Sequence, residues 1–443
     1  MAEIDDLERN VTEAASAGRI DDASAALHAL LKMQRDQREA AISLLRIIRD
    51  RHLPIEESLK VLIEIEASHP GDVELVARLG DCLELARDID LLNAPPPDEP
   101  LFERVVNALS AAASKSTYAG NESLILEGLA TAARMRARQS DAIAEASHKR
   151  LVELEPNSPR RQYNYGLFLK TRGKFAEGMS ANQRAVELSK ETVDRYEWNL
   201  GICATGARRG DIALAVWKRM GQKIEIGRFG LPEGVYPQCK VALAERPLAE
   251  RKAECDDPGL EETVWINRLS PCHGIIRSVL YQDLGVDYGD VVLIDGAPVT
   301  HHKYGEIQVP VFPHLATLER RHYQFFDFAG TQSASHELTE LGSSLGDDAV
   351  IYSHTEQYQL ICSSCWRNPD IDHDHGDTIE KHIVVGRIAA PPEVSPQALL
   401  GKLDEAVAQK TSCEIYTPSL CAAAGYPNRA EVDRRRFDML VNN

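Results

Sequence analysis

The sequence predicts an α+β protein in two parts: an all-α helical solenoid first, then an α+β domain that carries a cysteine- and histidine-rich cluster. Three observations lead there. Apolar residues recur at three- and four-residue spacing through the first part; alternating β-branched runs with turn signals replace them from Ile224 onward. Ten of the fourteen histidines and seven of the nine cysteines fall in that second part.

At 443 residues the chain exceeds what one hydrophobic core organises, so two or more domains are expected. A net charge of −18 excludes a broad phosphate-binding surface, and no nucleic acid partner is expected. No apolar run approaches the roughly 18 residues that span a bilayer, so no membrane segment is expected either. The start, MAEIDDLERN, has neither the features of a secretory signal nor those of a transit peptide, which points to a cytoplasmic protein. An odd, irregularly spaced set of nine cysteines reads as reduced thiols, any clustered ones serving metal or chemistry. Arg434, Arg435 and Arg436 read as the solvated face of a terminal helix with Val432, Leu440 and Val441 inside.

In the first part, "DDASAALHALLKMQRD", "EESLKVLIEIEASHP" and "DVELVARLGDCLELARDI" keep helical periodicity between short polar turns. An internal repeat stands out further on. "QYNYGLFLKTRGKFAEGMSANQRAVELSK" and "EWNLGICATGARRGDIALAVWKRM" share an aromatic-Asn-apolar-Gly core, and the Asn164/Gly166 pair recurs as Asn199/Gly201. These stretches resemble the tetratricopeptide repeat family over roughly residues 1–224. Gly166 and Gly201 stand where helices approach closely, Ala185 at a small-residue position, and Gly173 in the turn. The pattern departs from the consensus where Gln162 and Glu197 replace an aromatic and Gly178 an alanine. "NAPPPDEP" cannot continue a helix, which divides the first part into residues 1–92, a break at 93–100, and residues 101–224.

The resemblance implies a concave groove lined by Arg160, Tyr163 and Lys170 of one repeat and by Arg195 and Trp198 of the next. Three cations and two aromatics suit an acidic or carboxylate-ended peptide, through charge-assisted hydrogen bonds and apolar contact. The bland alternative is that these side chains coat a solvated face.

Residues 225–443 read as an α+β domain of no recognised family. Strands are expected in "ETVWINRLS", "YGDVVLIDGAPVT", "GEIQVPVFP", "RHYQFFDFAG", "DDAVIYSH" and "KHIVVGRIA", with a hairpin turn at Asp295-Gly296. Helices are expected at Ser333–Leu345 and at Pro396–Lys410, the second capped by Ser395. Residues 244–261 read as a charged connector.

Within it, "CSSCWRNPDIDHDHGD" sets Cys362 and Cys365 as a C-x₂-C hook before His373 and His375. Two thiolates and two imidazoles make a closed tetrahedral set for structural zinc. A second set draws Cys272 from "SPCHG" to the two hook thiolates and one histidine. Metal-free thiols beside an acidic loop are the plain alternative. Cys272 and His273 could also be a nucleophile and base, although neighbours on a strand face opposite ways. No phosphate loop, G-x-S-x-G or H-E-x-x-H occurs.

The sequence therefore reads as an adaptor that binds a protein or peptide in a helical groove, with a zinc-stabilised C-terminal domain. The alternative is a metal- or cysteine-dependent enzyme acting on a presented protein, with His301, His302, His314, His354 and Glu356 as its polar surplus. A small regulatory module is a third reading.

Overall fold

The computed structural model describes residues 72–83, 101–114, 121–135, 137–333, 336–362, 378–409 and 413–442, with scattered positions from 6 to 69. The break at 93–100 lies outside the described residues. The chain forms two compact units, one of Met1–Ala207 with Arg251–Asp257, the other of Arg208–Glu250 with Pro258–Asn443.

The first unit is helical. Its described helices are α1 (Val73–Cys82), α2 (Leu101–Ala113), α3 (Glu122–Met135), α4 (Asp141–Leu154), α5 (Pro159–Thr171), α6 (Phe175–Leu188) and α7 (Asp194–Gly206). Helix α4 packs on α3, α6 on α5 and α7 on α6, and α3, α5 and α7 start at near-constant intervals, so the segment is a stack of helical repeats. Local chemistry sets the starts. Ser158 caps α5 by accepting from Arg161 N, and Pro159 stands at the first position, where its missing N–H costs nothing. Gly173, at φ 70°, lets the chain turn back into α6.

The core of this unit is made of small and branched side chains such as Ala77, Leu109, Ala133, Phe168 and Ala181. Helix α5 approaches α6 closely because Gly166 has no side chain: a Cβ there would lie 2.2 Å from Asn182 Nδ2. The connector expected at 244–261 divides. Residues Arg251–Asp257 belong to the helical unit, where Asp256 accepts from the buried Arg138 (Nε to Oδ1, 3.1 Å).

The second unit begins with α8 (Gly210–Arg219), packed on the small ladder of β1 (Ile224–Ile226) and β2 (Pro232–Gly234). Five strands then close into a barrel: β3 (Cys239–Ala244), β4 (Glu261–Arg268), β5 (His273–Ile276), β6 (Val291–Ile294) and β8 (Ile307–Glu319). Each pairs antiparallel with the next, so the first and fifth run the same way, and the ring closes by a parallel pairing of β3 with β8. Val241, Val264, Ile266, Ile276, Val292 and Phe312 fill the interior.

Strand β7 (Thr300–Tyr304) corrects the hairpin expected at Asp295-Gly296. β6 and β7 do not pair with each other; both run antiparallel to β8, β6 along its C-terminal half and β7 along its N-terminal half. Residues 295–299 interrupt one long path beside β8. The reversal comes later, at Gly305-Glu306 between the partners Tyr304 and Ile307, with Gly305 at φ 59°.

A second, antiparallel sheet has the order β10-β11-β9-β12, from β9 (Gln324–Gln332), β10 (Val350–Cys362), β11 (Thr378–Ala390) and β12 (Glu414–Tyr416). Strand alternation gives it two apolar faces. Phe326, Phe328, Val384 and Ile388 pack with α9 (Glu337–Leu345), α10 (Pro396–Ala408) and α11 (Pro418–Ala423). Ala329 and Ile383 pack with α12 (Pro427–Val441). Ser395 caps α10, its hydroxyl accepting from Ala398 N at 3.2 Å. The terminal helix turns a different stripe inward from the one expected. Leu440 is buried, but Val432 and Val441 are 59% and 45% exposed; Asp433 and Phe437 complete the inner stripe at helical spacing.

Candidate functional site

The helical unit holds a cleft of about 380 Å³. Helix α5 contributes Arg160, Arg161, Tyr163 and Asn164; α3 contributes Glu127 and Arg134; α4 contributes His148; α7 contributes Arg195. Arg49 and Asp81 of the preceding region complete it. The stack brings these together because helix residues three or four apart share a face, and successive pairs present that face to one side.

Among the described residues five guanidiniums line this cleft, with the carboxylates of Asp81 and Glu127. Glu127 is shared: Arg160 bonds to one of its oxygens, and Arg161 Nη1 lies 3.0 Å from the other. Arg161 also forms a fork with Glu155, Nε and Nη2 each at 3.1 Å from a carboxylate oxygen. Burial opposes the Arg161 charge, but the bonds to Glu155 and Glu127 outweigh it and hold its pKa up. The bond from Arg161 holds the Glu155 carboxyl below its ordinary value. Arg49 pairs with Asp81 at 3.1 Å.

His148 is the neutral member. Burial pushes its pKa down to about 3, assisted by the positive field of Arg134, Arg172 and Arg161. Its ring packs against Phe168, with centroids 5.3 Å apart, and stacks on Tyr165. At the mouth, the Arg195 guanidinium lies 5.8 Å from the Tyr163 ring and 5.3 Å from that of Tyr196, and the two rings are 4.9 Å apart. Such an arrangement can hold an anion by charge-assisted, partly bidentate hydrogen bonds in a partly dry setting.

Of the five groove residues taken from the sequence, Arg160, Tyr163 and Arg195 line this cleft, while Lys170 and Trp198 do not. Lys170 is only 4% exposed. Repeat geometry aimed it into the groove, but it stands on α5 beside the inward-facing Phe168 and Leu169 and is buried with them. Reading the sequence missed Arg49, Arg134, Arg161 and His148. Arg161 adjoins Arg160, and its N-terminal place on α5 was a usable signal; the others come from preceding helices, and only the stacking register brings them in.

In the second unit, Cys272 is fully buried and close to Ser270 (Sγ to Oγ, 3.8 Å). Among the described residues no three of His, Cys, Asp or Glu stand close enough to hold a metal ion. Cys272 therefore belongs to no such group of three among the described residues. Cys365, His373 and His375 lie outside the described residues, and for Cys362 only the backbone is described. That backbone ends β10 opposite Thr378, the first residue of β11.

The Cys272-His273 pair is closed to solvent. His273 Nδ1 lies 2.5 Å from Ser270 Oγ, and burial lowers its pKa to about 3, with a contribution from the Arg208 charge. The other histidines do not gather. His301 and His302 stand on the edge strand β7, and His314 is buried on β8. His354 on β10 donates from Nε2 to Val279 O at 3.0 Å between the rings of Tyr281 and Tyr352. For Glu356 only the backbone is described. Among the described residues no helix is long and apolar enough to cross a membrane.

No protein-family profile matches the chain, and no curated protein matches it. Solved structures are similar over part of it. The MamA protein matches with a TM-score of 0.27 and 16% identity, over 49% of this chain and 91% of that one. PilW, a widely conserved type IV pilus biogenesis factor, gives 0.37 and 11% over 49% and 91%. PilF of Pseudomonas aeruginosa gives 0.33 and 14% over 49% and 90%. The repeat-like character of the helices stands on their own packing.

Proposed function

We propose that this protein is an adaptor that binds a partner protein in the cleft of its tetratricopeptide-like helices, in a cytoplasmic setting. The segment it takes is acidic or ends in a free carboxylate. One observation carries this reading: among the described residues five arginines and two carboxylates line the cleft, in a chain whose net charge is −18. A protein so acidic repels anions in general, so a local cationic cleft makes one place selective for them. Tyr163, Leu151 and Leu167 add apolar contact beside the charges.

A direct test titrates the chain with a labelled Asp/Glu-rich peptide, carrying either a free or an amidated C-terminus. The reading expects binding that weakens with salt and that falls at least tenfold in Arg160→Glu and Arg195→Glu. Binding unchanged in both variants would remove the cleft from the function.

The second part of the proposal is a zinc ion held by Cys362, Cys365, His373 and His375 at the β10–β11 connection. It rests on ligand type and spacing, and on the end of β10 at Cys362. Metal content of the purified chain, repeated with Cys362→Ser and Cys365→Ser, decides it: one equivalent lost in the variants supports it, and none in the parent ends it.

A further inference from the structure

We infer that the anion for which the cleft is built is a phosphomonoester on the partner, with Arg195 as its anchor; this rests on the cleft being the protein-binding site. Arg195 is already oriented. Its guanidinium lies over the paired rings of Tyr163 and Tyr196, and among the described residues it has neither a carboxylate nor a hydrogen-bond partner. Cation–π contact with two rings restrains the guanidinium and leaves its N–H groups to a ligand, so less freedom is lost when an anion arrives. Arg160, 52% exposed, adds a second cation to the cleft. It shares Glu127 with Arg161, so one carboxylate already serves two guanidiniums.

The exposed cations separate phosphate from carboxylate. Arg195 and Arg160 both line the cleft, and among the described residues Arg195 meets no carboxylate while Arg160 has only a share of Glu127. A partner's single carboxylate brings one charge and two acceptor atoms. A phosphomonoester brings up to two charges and three strong acceptor oxygens, enough to meet Arg195 and Arg160 together. The same chemistry could come from a free phosphate, so the test separates the two sources.

The experiment uses the full chain and fluorescence anisotropy with three labelled heptapeptides. All are aspartate-rich, with serine, glutamate or phosphoserine at the centre; inorganic phosphate serves as competitor. The phosphoserine peptide is expected to bind at least tenfold tighter than the glutamate peptide. Arg195→Ala should erase that advantage with helical circular dichroism unchanged, and Arg195→Lys should restore only part of it. Equal binding of the phosphoserine and glutamate peptides overturns this inference and leaves the acidic-partner reading standing. No binding by any of the three overturns that reading as well. Inorganic phosphate competing as tightly as the phosphopeptide itself binds would overturn the assignment to a partner-borne group.

Discussion

Asn199 donates from Nδ2 to Asn182 Oδ1 at 2.9 Å, joining α7 to α6 through two buried amides. Asn182 in turn donates to Gly178 O at 2.6 Å, and among the described residues Asn199 Oδ1 accepts no hydrogen bond. Asn182→Leu should leave the Asn199 amide buried without a partner and lower stability by about 2 kcal/mol. Urea unfolding followed by circular dichroism at 222 nm measures it. The double variant Asn182→Leu/Asn199→Leu should recover part of the loss, since removing both partners removes the unpaired group.

Gly166→Ala tests the close approach of α5 and α6. Alanine favours a helix by about 1 kcal/mol over glycine. Here its Cβ would meet the amide of Asn182, which is fully buried and cannot swing aside. Overpacking of about 1–3 kcal/mol should win, giving a lower thermal midpoint. A raised midpoint would show that the helices part easily.

The two buried histidines predict an acid limb. His148 and His273 stay neutral in the folded chain down to about pH 3, whereas in the unfolded chain they take up protons near pH 6.5. Between those values the unfolded state binds more protons, so stability rises with pH in that window and is complete above it. Each histidine should cost about 1.4 kcal/mol per pH unit as pH falls below 6.5. Urea midpoints at pH 7.5 and 5.5 check it, and His273→Asn should reduce the difference.

Arg387 links the barrel to the antiparallel sheet within the second unit. It donates to Asp287 Oδ2 and to Leu280 O, both at 2.9 Å, and lies 4.6 Å from the Phe325 ring. Burial already raises the Asp287 pKa against the pull of its bonds from Leu280 N, Tyr288 N and Arg387. Arg387→Ala should leave a mostly buried carboxylate without its cation and cost about 3 kcal/mol. The loss should shrink as pH falls and Asp287 takes up a proton, which urea midpoints at pH 7.5 and 5 would show.

Cleft and barrel differ in how far the sequence disclosed them. Arg160, Tyr163 and Arg195 could be named from repeat position because helical periodicity maps sequence offset onto a face. Lys170 defeated the same rule, since a long side chain at the end of α5 can be drawn into the core beside Phe168. Asp295-Gly296 carried a turn signal, but such a signal does not say which strands will be neighbours. That depends on β8, which is long enough to pair with β6 and β7 in succession.

The sequence by itself determined the change from helix to strand near Ile224, the cap at Ser395, and the glycine that brings α5 onto α6. All are properties of a few adjacent residues. Only the tertiary structure decided that Arg49 and Arg134 join Arg160, Arg161 and Arg195 in one cleft and that β3 and β8 close a barrel. It also decided that Asp433, not Val432, turns inward, where it accepts from Thr417 N. Those outcomes depend on which surfaces meet, and pairings between residues far apart in the chain leave no local periodicity to read.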